Sequence, residues 1–350
     1  MPFFQFLDKR QLLNLYSFNI DSMNKVFVTG ADGMLGSSIC RELLHQGYEV
    51  RALCFPNRKT TTLNNLPIEI VEGDVSDKNL LLQKMKGCNY VIHVAALMSL
   101  WPRRSELIRH VNIEGTKNVM QAAEQLKMER MVHIGTASSF NNGSKENPGS
   151  EKKPYAGHKF KMDYIDSKYE AQNLLLDQFN KTRFPVIIIN PTFMIGPFDS
   201  GPSSGKMLIA IYKNKLKLYN RGGKNFVCSK DVASAAVNAL KKGRLGQCYI
   251  AGNENLEYKE FFEKAFKKMN KPFAMTGVPN PILLTAGFLG SVVARVTKKP
   301  PILSMGIALL AKENNYFTSE KAVKELDMPQ TPIEVGIEQS LDWFKENKYI

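Results

Sequence analysis

The sequence predicts an α/β fold built on a doubly wound parallel sheet, followed by a smaller and mainly helical part. Short β-branched runs alternate with amphipathic helical patterns up to about residue 252, a rhythm that is typical of parallel βαβ units. The first of these runs leads directly into a glycine-rich turn. From residue 253 onward the pattern is mostly helical, which indicates a second structural unit.

Seven strands are predicted, each from a run of mainly apolar and often β-branched residues, as a sheet buried on both faces requires. They are residues 26–29, 49–53, 68–72, 90–94, 130–135, 186–190 and 247–251. Helical patterns lie between them, for example at 111–126 and 163–180. Parallel strands bring their carboxyl ends to one edge of the sheet, so we expect the ligand to bind there.

The turn after the first strand reads TGADGMLG at residues 29–36. Gly30 permits the tight turn, Gly33 lets the backbone approach a phosphate, and Gly36 lets the next helix pack closely on the sheet. The helix that begins near Met34 directs free N–H groups and its positive end toward that phosphate. Because a strand precedes the triplet and an amphipathic helix and a second strand follow, we favour a Rossmann-type dinucleotide cradle over an ordinary strand–helix turn.

Tyr164 and Lys168 stand four residues apart in a predicted helix, so they share one helix face. A free tyrosine has a pKa of about 10, which is too high for it to exchange protons readily at neutral pH. A neighbouring ammonium is expected to lower that pKa, so that Tyr164 donates a proton in a reduction or accepts one in an oxidation. The pair also fits an exposed helix surface, but its position after the fifth strand favours an active site.

Composition limits the classes of function. Five scattered cysteines form no C-x-x-C motif and the five histidines show no ligand spacing, so we expect a reducing cytoplasm and no metal. The net charge of +14 is interpreted as a lysine-rich solvated surface, since no nucleic-acid-binding motif accompanies it. No apolar run is long enough for a clear membrane span, so no transmembrane segment is expected.

These features resemble the extended short-chain dehydrogenase/reductase superfamily, and more narrowly its dihydroflavonol-4-reductase-like branch within the NAD-dependent epimerase/dehydratase family. The resemblance runs from about Lys25 to the C-terminus. Beyond the two motifs, it rests on segments that follow one another in the family's order. They are GDV at 73–75, HVAA at 93–96, NIEGT at 112–116, NPT at 190–192, GP at 196–197 and SKDVA at 229–233.

The resemblance implies the site residues. A hydroxyl that holds the substrate carbonyl is implied at Thr136, with Ser138 and Ser139 as alternatives, and Tyr164 and Lys168 are implied as the catalytic pair. Lys168 would also hold the nicotinamide ribose. The residues implied to contact the dinucleotide are Gly30, Gly33, Met34, Leu35, Gly36, Arg58, Asp74, Val75, Ala95, Ala96, Asn112, Tyr164, Lys168, Pro191 and Thr192.

The resemblance also divides the chain into parts. The Rossmann NAD(P)-binding domain is expected at 23–195, completed by 224–252, and the substrate-binding cap at 196–223 and 253–350. Residues 1–22 are expected to be a disordered extension, or to precede a true start at Met23.

Cofactor choice is usually decided at the end of the second strand, where an acid binds the ribose 2′-hydroxyl and repels a 2′-phosphate. Residues 51–59 contain no acid, and Arg58 and Lys59 can supply positive charge. We therefore expect NADP, with NAD as the alternative.

The sequence thus predicts an NAD(P)-dependent oxidoreductase that reduces a ketone or aldehyde to an alcohol. Three alternatives stay open: a sugar-nucleotide epimerase or dehydratase that retains NAD, a non-catalytic NADP-sensing regulator, and a steroid-type dehydrogenase/isomerase. The family implies a homodimer through the helices near Val111 and Asp163.

The stretch 281–296 is unusually apolar, and Arg295, Lys298 and Lys299 stand at its end. A second apolar segment follows at 302–310. We favour a pair of helices that closes the substrate cleft and packs on itself. The alternative is a lid for an apolar substrate that touches a membrane surface.

Overall fold

The computed structural model describes residues 24–301 and 303–350. The predicted extension at residues 1–22 therefore lies outside the described residues. The strands are β1 Lys25–Thr29, β2 Glu49–Cys54, β3 Glu69–Glu72, β4 Tyr90–His93, β5 Arg130–Ile134, β6 Val186–Pro191, β7 Phe193–Ile195, β8 Leu218–Asn220, β9 Gly223–Cys228, β10 Cys248–Ala251, β11 Glu254–Glu257, β12 Thr276–Val278 and β13 Asn314–Asn315.

The helices alternate with the strands in the first part of the chain and dominate the last. They are α1 Met34–His45, α2 Lys78–Met85, α3 Glu106–Arg109, α4 Gly115–Gln125, α5 Asp163–Thr182, α6 Lys206–Tyr212, α7 Ser229–Asn238, α8 Tyr258–Lys268, α9 Asn280–Thr297, α10 Met305–Ala311, α11 Glu320–Leu326 and α12 Ile333–Glu346.

The main sheet has seven strands in the order β10-β6-β5-β4-β1-β2-β3, and all of its pairings are parallel. These are the seven strands that the sequence predicts, so the doubly wound α/β prediction is confirmed. The chain reverses its direction across the sheet between β1 and β4, which opens a crevice at their carboxyl ends. Helices cover both faces, and β6 is buried along its whole length.

A second sheet joins β7, β9, β11 and β13, and its apolar face packs against α8 and α12. At its centre the ring of Phe226 stacks on that of Phe261 with a centroid separation of 4.1 Å. The prediction of a mainly helical C-terminal part is confirmed. The exact division of the chain into a cofactor domain and a cap stays a prediction.

The helix predicted at 111–126 is interrupted. A π-helical turn at His110–Glu114 lies between α3 and α4 and carries Asn112, which is buried. The hydroxyl of Thr116 donates to the carbonyl oxygen of Asn112 at 2.7 Å, just after this turn. A single π turn inside a helix turns side chains away from their regular positions and is frequent at functional sites.

Helices α9 and α10 form the pair that the sequence predicts in the apolar C-terminal stretch, and they pack on each other. Among the described residues, α9 is long and apolar enough to cross a membrane, with 18 residues and a mean hydropathy of 1.2. The helix meets this test by length and composition only, so the expectation of no transmembrane segment stays a prediction. Only 17% of the helix is buried in the protein.

Candidate active site

Most of the predicted site residues lie at or after the carboxyl ends of six neighbouring strands. The turn at residues 30–36 follows β1, Arg58 follows β2, and Asp74 follows β3; Ala95 follows β4, Thr136 follows β5, and Pro191 ends β6. Because the strands are parallel, all these ends lie at one edge of the sheet. The topology therefore brings residues spread from Gly30 to Pro191 to one crevice.

The glycine turn has the close packing that its motif predicts. Gly30 has a φ of +63°, and a Cβ there would lie 2.8 Å from the backbone of Ala95. A Cβ on Gly36 would overlap the carbonyl oxygen of Gly30 and lie 2.8 Å from Cα of Ala31. Gly33 is exposed, Met34 begins α1, and the first turn of that helix carries no acidic residue. This cradle suits the pyrophosphate of a dinucleotide, which the free N–H groups of the helix start would hold.

The loop after β4 is tied to the strand before the glycine turn. The hydroxyl of Thr29 accepts hydrogen bonds from the backbone N–H groups of Val94 and Ala95, both at 3.1 Å. It also lies 2.8 Å from Nδ1 of His93, whose Nε2 lies 3.1 Å from the hydroxyl of Thr116. These bonds hold the loop beside the cradle and connect it to α4.

Asn112 links the same loop to the helix of the Tyr–Lys pair. Its Oδ1 accepts from the backbone N–H of Leu97 at 2.8 Å, and its Nδ2 donates to the carbonyl oxygen of Leu97 at 3.2 Å. Nδ2 also donates to the hydroxyl of Ser167 at 3.0 Å. Asn112, which the family resemblance assigns to dinucleotide binding, therefore forms these hydrogen bonds within the protein. They join the loop after β4 to α5.

Tyr164 and Lys168 on α5 are largely removed from water, which favours the neutral form of both side chains. Lys168 is 3% exposed, and its Nζ donates to the carbonyl oxygen of Ile134, at the end of β5. Burial lowers the pKa of Lys168 to about 7. Burial also raises the pKa of Tyr164 to about 12. The expected lowering of the phenol pKa by the ammonium is therefore wrong for the free protein, because removal from water has the larger effect.

The three hydroxyls after β5 differ in accessibility. Thr136 and Ser138 are half-buried, and the Thr136 hydroxyl accepts from the backbone N–H of Ser138 at 3.3 Å. Ser139 is 1% exposed, and its hydroxyl has no hydrogen-bond partner among the described residues. Ser138 lines a cavity, whereas Thr136 begins the turn that presents it. Thr136 and Ser138 are thus more accessible than Ser139, and their contact with a substrate stays a prediction.

That cavity opens between the start of α5, the loop after β5 and the helix pair. Its wall is mixed: six apolar residues and Gly157 share it with five polar or charged ones, which are Ser138, Asn141, Asn142, Lys159 and Asn315. Leu310 enters from α10, and Ile165 lies beside Tyr164 on α5. The apolar lining is completed by Phe140, Ala156, Phe160 and Phe317.

The remaining predicted residues are placed around the crevice. Arg58 is exposed, and its Nη1 lies 3.9 Å from Oδ2 of Asp32 in the glycine turn. The carboxylate of Asp74 accepts from the backbone N–H of Ser76 at 2.8 Å, and the buried Val75 meets Gly115 of α4. The hydroxyl of Thr192 donates to Oδ1 of Asn225 at 2.8 Å. Their contact with a dinucleotide stays a prediction.

A buried polar layer beneath the site was not foreseen from the sequence. Asn190 donates through Nδ2 to the carbonyl oxygen of Thr136 at 3.0 Å and to Oε1 of Gln172 at 2.8 Å. The ring of His133 is fully buried, with neither nitrogen bonded to any described residue, and its pKa lies well below the ordinary value. Gln172 follows Lys168 by one helical turn, which is the signal that could have identified it.

The chain is similar to a known protein family and to several named proteins. A family model described as the NAD dependent epimerase/dehydratase family matches residues 26–252. A protein of Synechocystis sp. named "Putative dihydroflavonol 4-reductase" is 30% identical over 330 residues, which are 93% of this chain and 95% of that protein. A sterol-4-alpha-carboxylate 3-dehydrogenase, decarboxylating, from Dictyostelium discoideum is 26% identical, and the match covers 86% and 94% of the two chains.

A solved structure has the same fold as this chain. The dTDP-glucose 4,6-dehydratase of Bacillus anthracis, determined in complex with NAD, superposes with a TM-score of 0.73 at 18% identity. The match covers 93% of this chain and 98% of that one. At this identity the likeness shows the fold alone. Among the described residues, no group of histidine, cysteine and carboxylate side chains could hold a metal ion.

Proposed function

Because the chain belongs to the NAD-dependent epimerase/dehydratase family of extended short-chain dehydrogenases/reductases, and its relatives include proteins named reductases and dehydrogenases, we propose that it reduces a ketone or aldehyde to an alcohol. The observation that carries the proposal is the link from the glycine cradle through Leu97 and Asn112 to Ser167, which lies between Tyr164 and Lys168. A nicotinamide cofactor, when bound, supplies the hydride. The chain's own groups supply the proton and hold the reacting oxygen.

Tyr164 donates the proton to the carbonyl oxygen of the substrate. The phenol is protonated at neutral pH, but burial raises its pKa to about 12 and so makes it a weaker acid than a free tyrosine. Lys168, charged in part because its pKa is about 7, stabilises the phenolate that remains after donation. Thr136 or Ser138 donates a hydrogen bond to the same carbonyl oxygen and so orients it. We infer these roles from the family motif, and the hydrogen bond of Lys168 to the carbonyl oxygen of Ile134 at the end of β5 supports them.

The substrate proposed is a carbonyl compound with an apolar body. Support comes from the aromatic and aliphatic side chains that line part of the cavity, among them Phe140, Phe160 and Leu310. A sterol is an apolar substrate, and one relative is named for acting on a sterol carboxylate.

NADP is the proposed coenzyme. The support is the positive charge of Arg58, which is exposed at the end of β2 and free to turn from Asp32 toward a 2′-phosphate. Phe55, also exposed, stands where an acid would exclude that phosphate.

The experiment is a measurement of NADPH and NADH oxidation with a panel of apolar ketones, aldehydes and flavanonols. We expect turnover that needs added coenzyme and that prefers NADPH. Purified protein that carries tightly bound NAD, and that interconverts a sugar nucleotide without added coenzyme, would favour the epimerase alternative. Cofactor binding with no turnover of any carbonyl would favour the regulator.

A further inference from the structure

Helix α9 presents an apolar face that no described part of the chain covers. Among the described residues, thirteen large hydrophobic side chains are exposed, and six of them lie on this one helix. The fractional exposure reaches 58% at Phe288 and 80% at Val296. The six residues are Ile282, Phe288, Leu289, Val292, Val293 and Val296. Single exposed apolar residues are ordinary on soluble proteins, whereas a contiguous apolar face marks a surface that binds something.

The opposite face of α9 is fixed to the rest of the protein. Gly287, Ser291 and Ala294 are buried, and their spacing places them on the side of the helix away from Leu289 and Val293. A Cβ on Gly287 would lie 2.7 Å from Cβ of Ala308 in α10. The hydroxyl of Ser291 accepts from the backbone N–H of Met305 at 2.7 Å.

Helix α10 in turn packs on the segment before the catalytic helix. Leu309 and Leu310 pack against the cluster of Phe160, Met162 and Ile165, which also includes Tyr164. Helix α9 is attached through α10 to the part of the protein that carries α5. It would therefore lie along a membrane surface and would not cross the membrane.

The charges around the apolar face have one sign. Residues 272–312 contain four basic residues and no aspartate or glutamate. Three of the four, Arg295, Lys298 and Lys299, stand at the C-terminal end of α9; they are exposed and form no salt bridge with any described residue. A second copy of the chain would bring like charges from this segment, whereas an anionic bilayer supplies the opposite charge.

We propose that the exposed face of α9, with Arg295, Lys298 and Lys299, docks the protein on the surface of an anionic lipid bilayer. The apolar side chains enter the boundary between headgroups and acyl chains, and the basic side chains contact the headgroups. The cavity wall carries Leu310 of the neighbouring helix, so docking would place the cavity close to the lipid. The docking itself does not rest on the proposed reaction.

The test is co-sedimentation of the full-length protein with vesicles of phosphatidylcholine alone or mixed with phosphatidylserine. We expect binding to the mixed vesicles at low salt, weakened by salt, and roughly a hundredfold weaker binding to phosphatidylcholine alone. The double variant L289Q/V293Q and the triple variant R295Q/K298Q/K299Q should each lose most of the binding.

Matched controls separate docking from general surface charge. The variant I70Q/L245Q removes two exposed apolar residues elsewhere, and K127Q/K181Q/R183Q removes three exposed basic residues elsewhere. Both should bind vesicles as the wild type does, and all four variants should turn over a water-soluble ketone normally. If the wild type does not sediment with the mixed vesicles while it turns over the ketone, the docking proposal is wrong and the proposed function is untouched. If L289Q/V293Q instead dissociates a dimer in solution, the face is a protein interface and the proposal is also wrong.

Discussion

The side-chain amide of Asn112 donates a hydrogen bond of 3.0 Å to the hydroxyl of Ser167, between Tyr164 and Lys168 on α5. The same amide is held by both backbone groups of Leu97, in the loop that Thr29 anchors beside the glycine turn. Asn112 therefore acts as a positioning residue that couples the cradle to the proposed catalytic pair. It does so from a π-helical turn, which directs it inward.

Replacing Asn112 by alanine should weaken both stability and turnover. The half-buried N–H and carbonyl of Leu97 would lose their partner, at a cost of about 1–3 kcal/mol in the free energy of unfolding. Displacement of α5 should lower kcat by about tenfold to a hundredfold. Urea denaturation and steady-state kinetics measure the two effects.

Asn89→Ala is the matched control for Asn112. Asn89 caps the opposite edge of the sheet, where its Oδ1 accepts from the backbone N–H of Lys25 at 3.0 Å. It should lower stability with little change in kcat for the folded protein. Equal losses of kcat in the two variants would contradict a positioning role for Asn112.

Gly36→Ala should destabilise the cradle. The added methyl group would overlap the carbonyl oxygen of Gly30, and relief of that overlap moves α1 away from the turn. We expect a loss of about 1–3 kcal/mol in unfolding free energy and weaker coenzyme binding. Gly201→Ala is the control, because no atom lies within 4 Å of the position of its Cβ. Thermal unfolding with and without NADPH distinguishes the two; similar melting temperatures and coenzyme affinities would show that the turn is not closely packed.

The rate of carbonyl reduction should fall as the pH rises through about 7. Burial places the pKa of Lys168 near 7, so its ammonium is lost over that range, whereas Tyr164 keeps its proton up to about 12. The effect of this group on the free energy of unfolding has the opposite sign. Above pH 7 the unfolded chain binds more protons at Lys168 than the folded chain does, so stability rises with pH until the unfolded pKa of Lys168 is reached. A pH profile of kcat/KM checks the first effect. In Lys168→Met the profile should be flat through neutral pH, and an unchanged step there would assign the titration to another group.

Arg58→Gln should raise the KM for NADPH by about tenfold and leave the KM for NADH nearly unchanged. The reason is that only NADPH presents a 2′-phosphate to this guanidinium. Lys127→Gln, at an exposed site away from the crevice, serves as the control. A parallel rise of both KM values would mean that Arg58 contacts the dinucleotide elsewhere or supports the glycine turn through Asp32.

The strands and the cradle could be predicted from the sequence because their signals are local. Apolar β-branched runs marked all seven strands of the main sheet, and the packing of Gly30 and Gly36 follows from the motif. The role of Asn112 could not be predicted, since its partners Leu97 and Ser167 lie 15 and 55 residues away. The raised pKa of Tyr164 was missed for a similar reason: burial is a property of the tertiary structure, and the i, i+4 spacing indicates only the neighbouring charge.

The most direct test of the account is Tyr164→Phe, measured as single-turnover oxidation of bound NADPH by a ketone substrate. We predict that the rate falls by about a hundredfold to ten-thousandfold, because the phenol alone supplies the proton, while NADPH affinity stays nearly the same. Tyr169→Phe is the control on the same helix, since Tyr169 stacks on Tyr155 at 4.0 Å and should keep its rate. Turnover retained in Tyr164→Phe would contradict the assignment of Tyr164 as the proton donor.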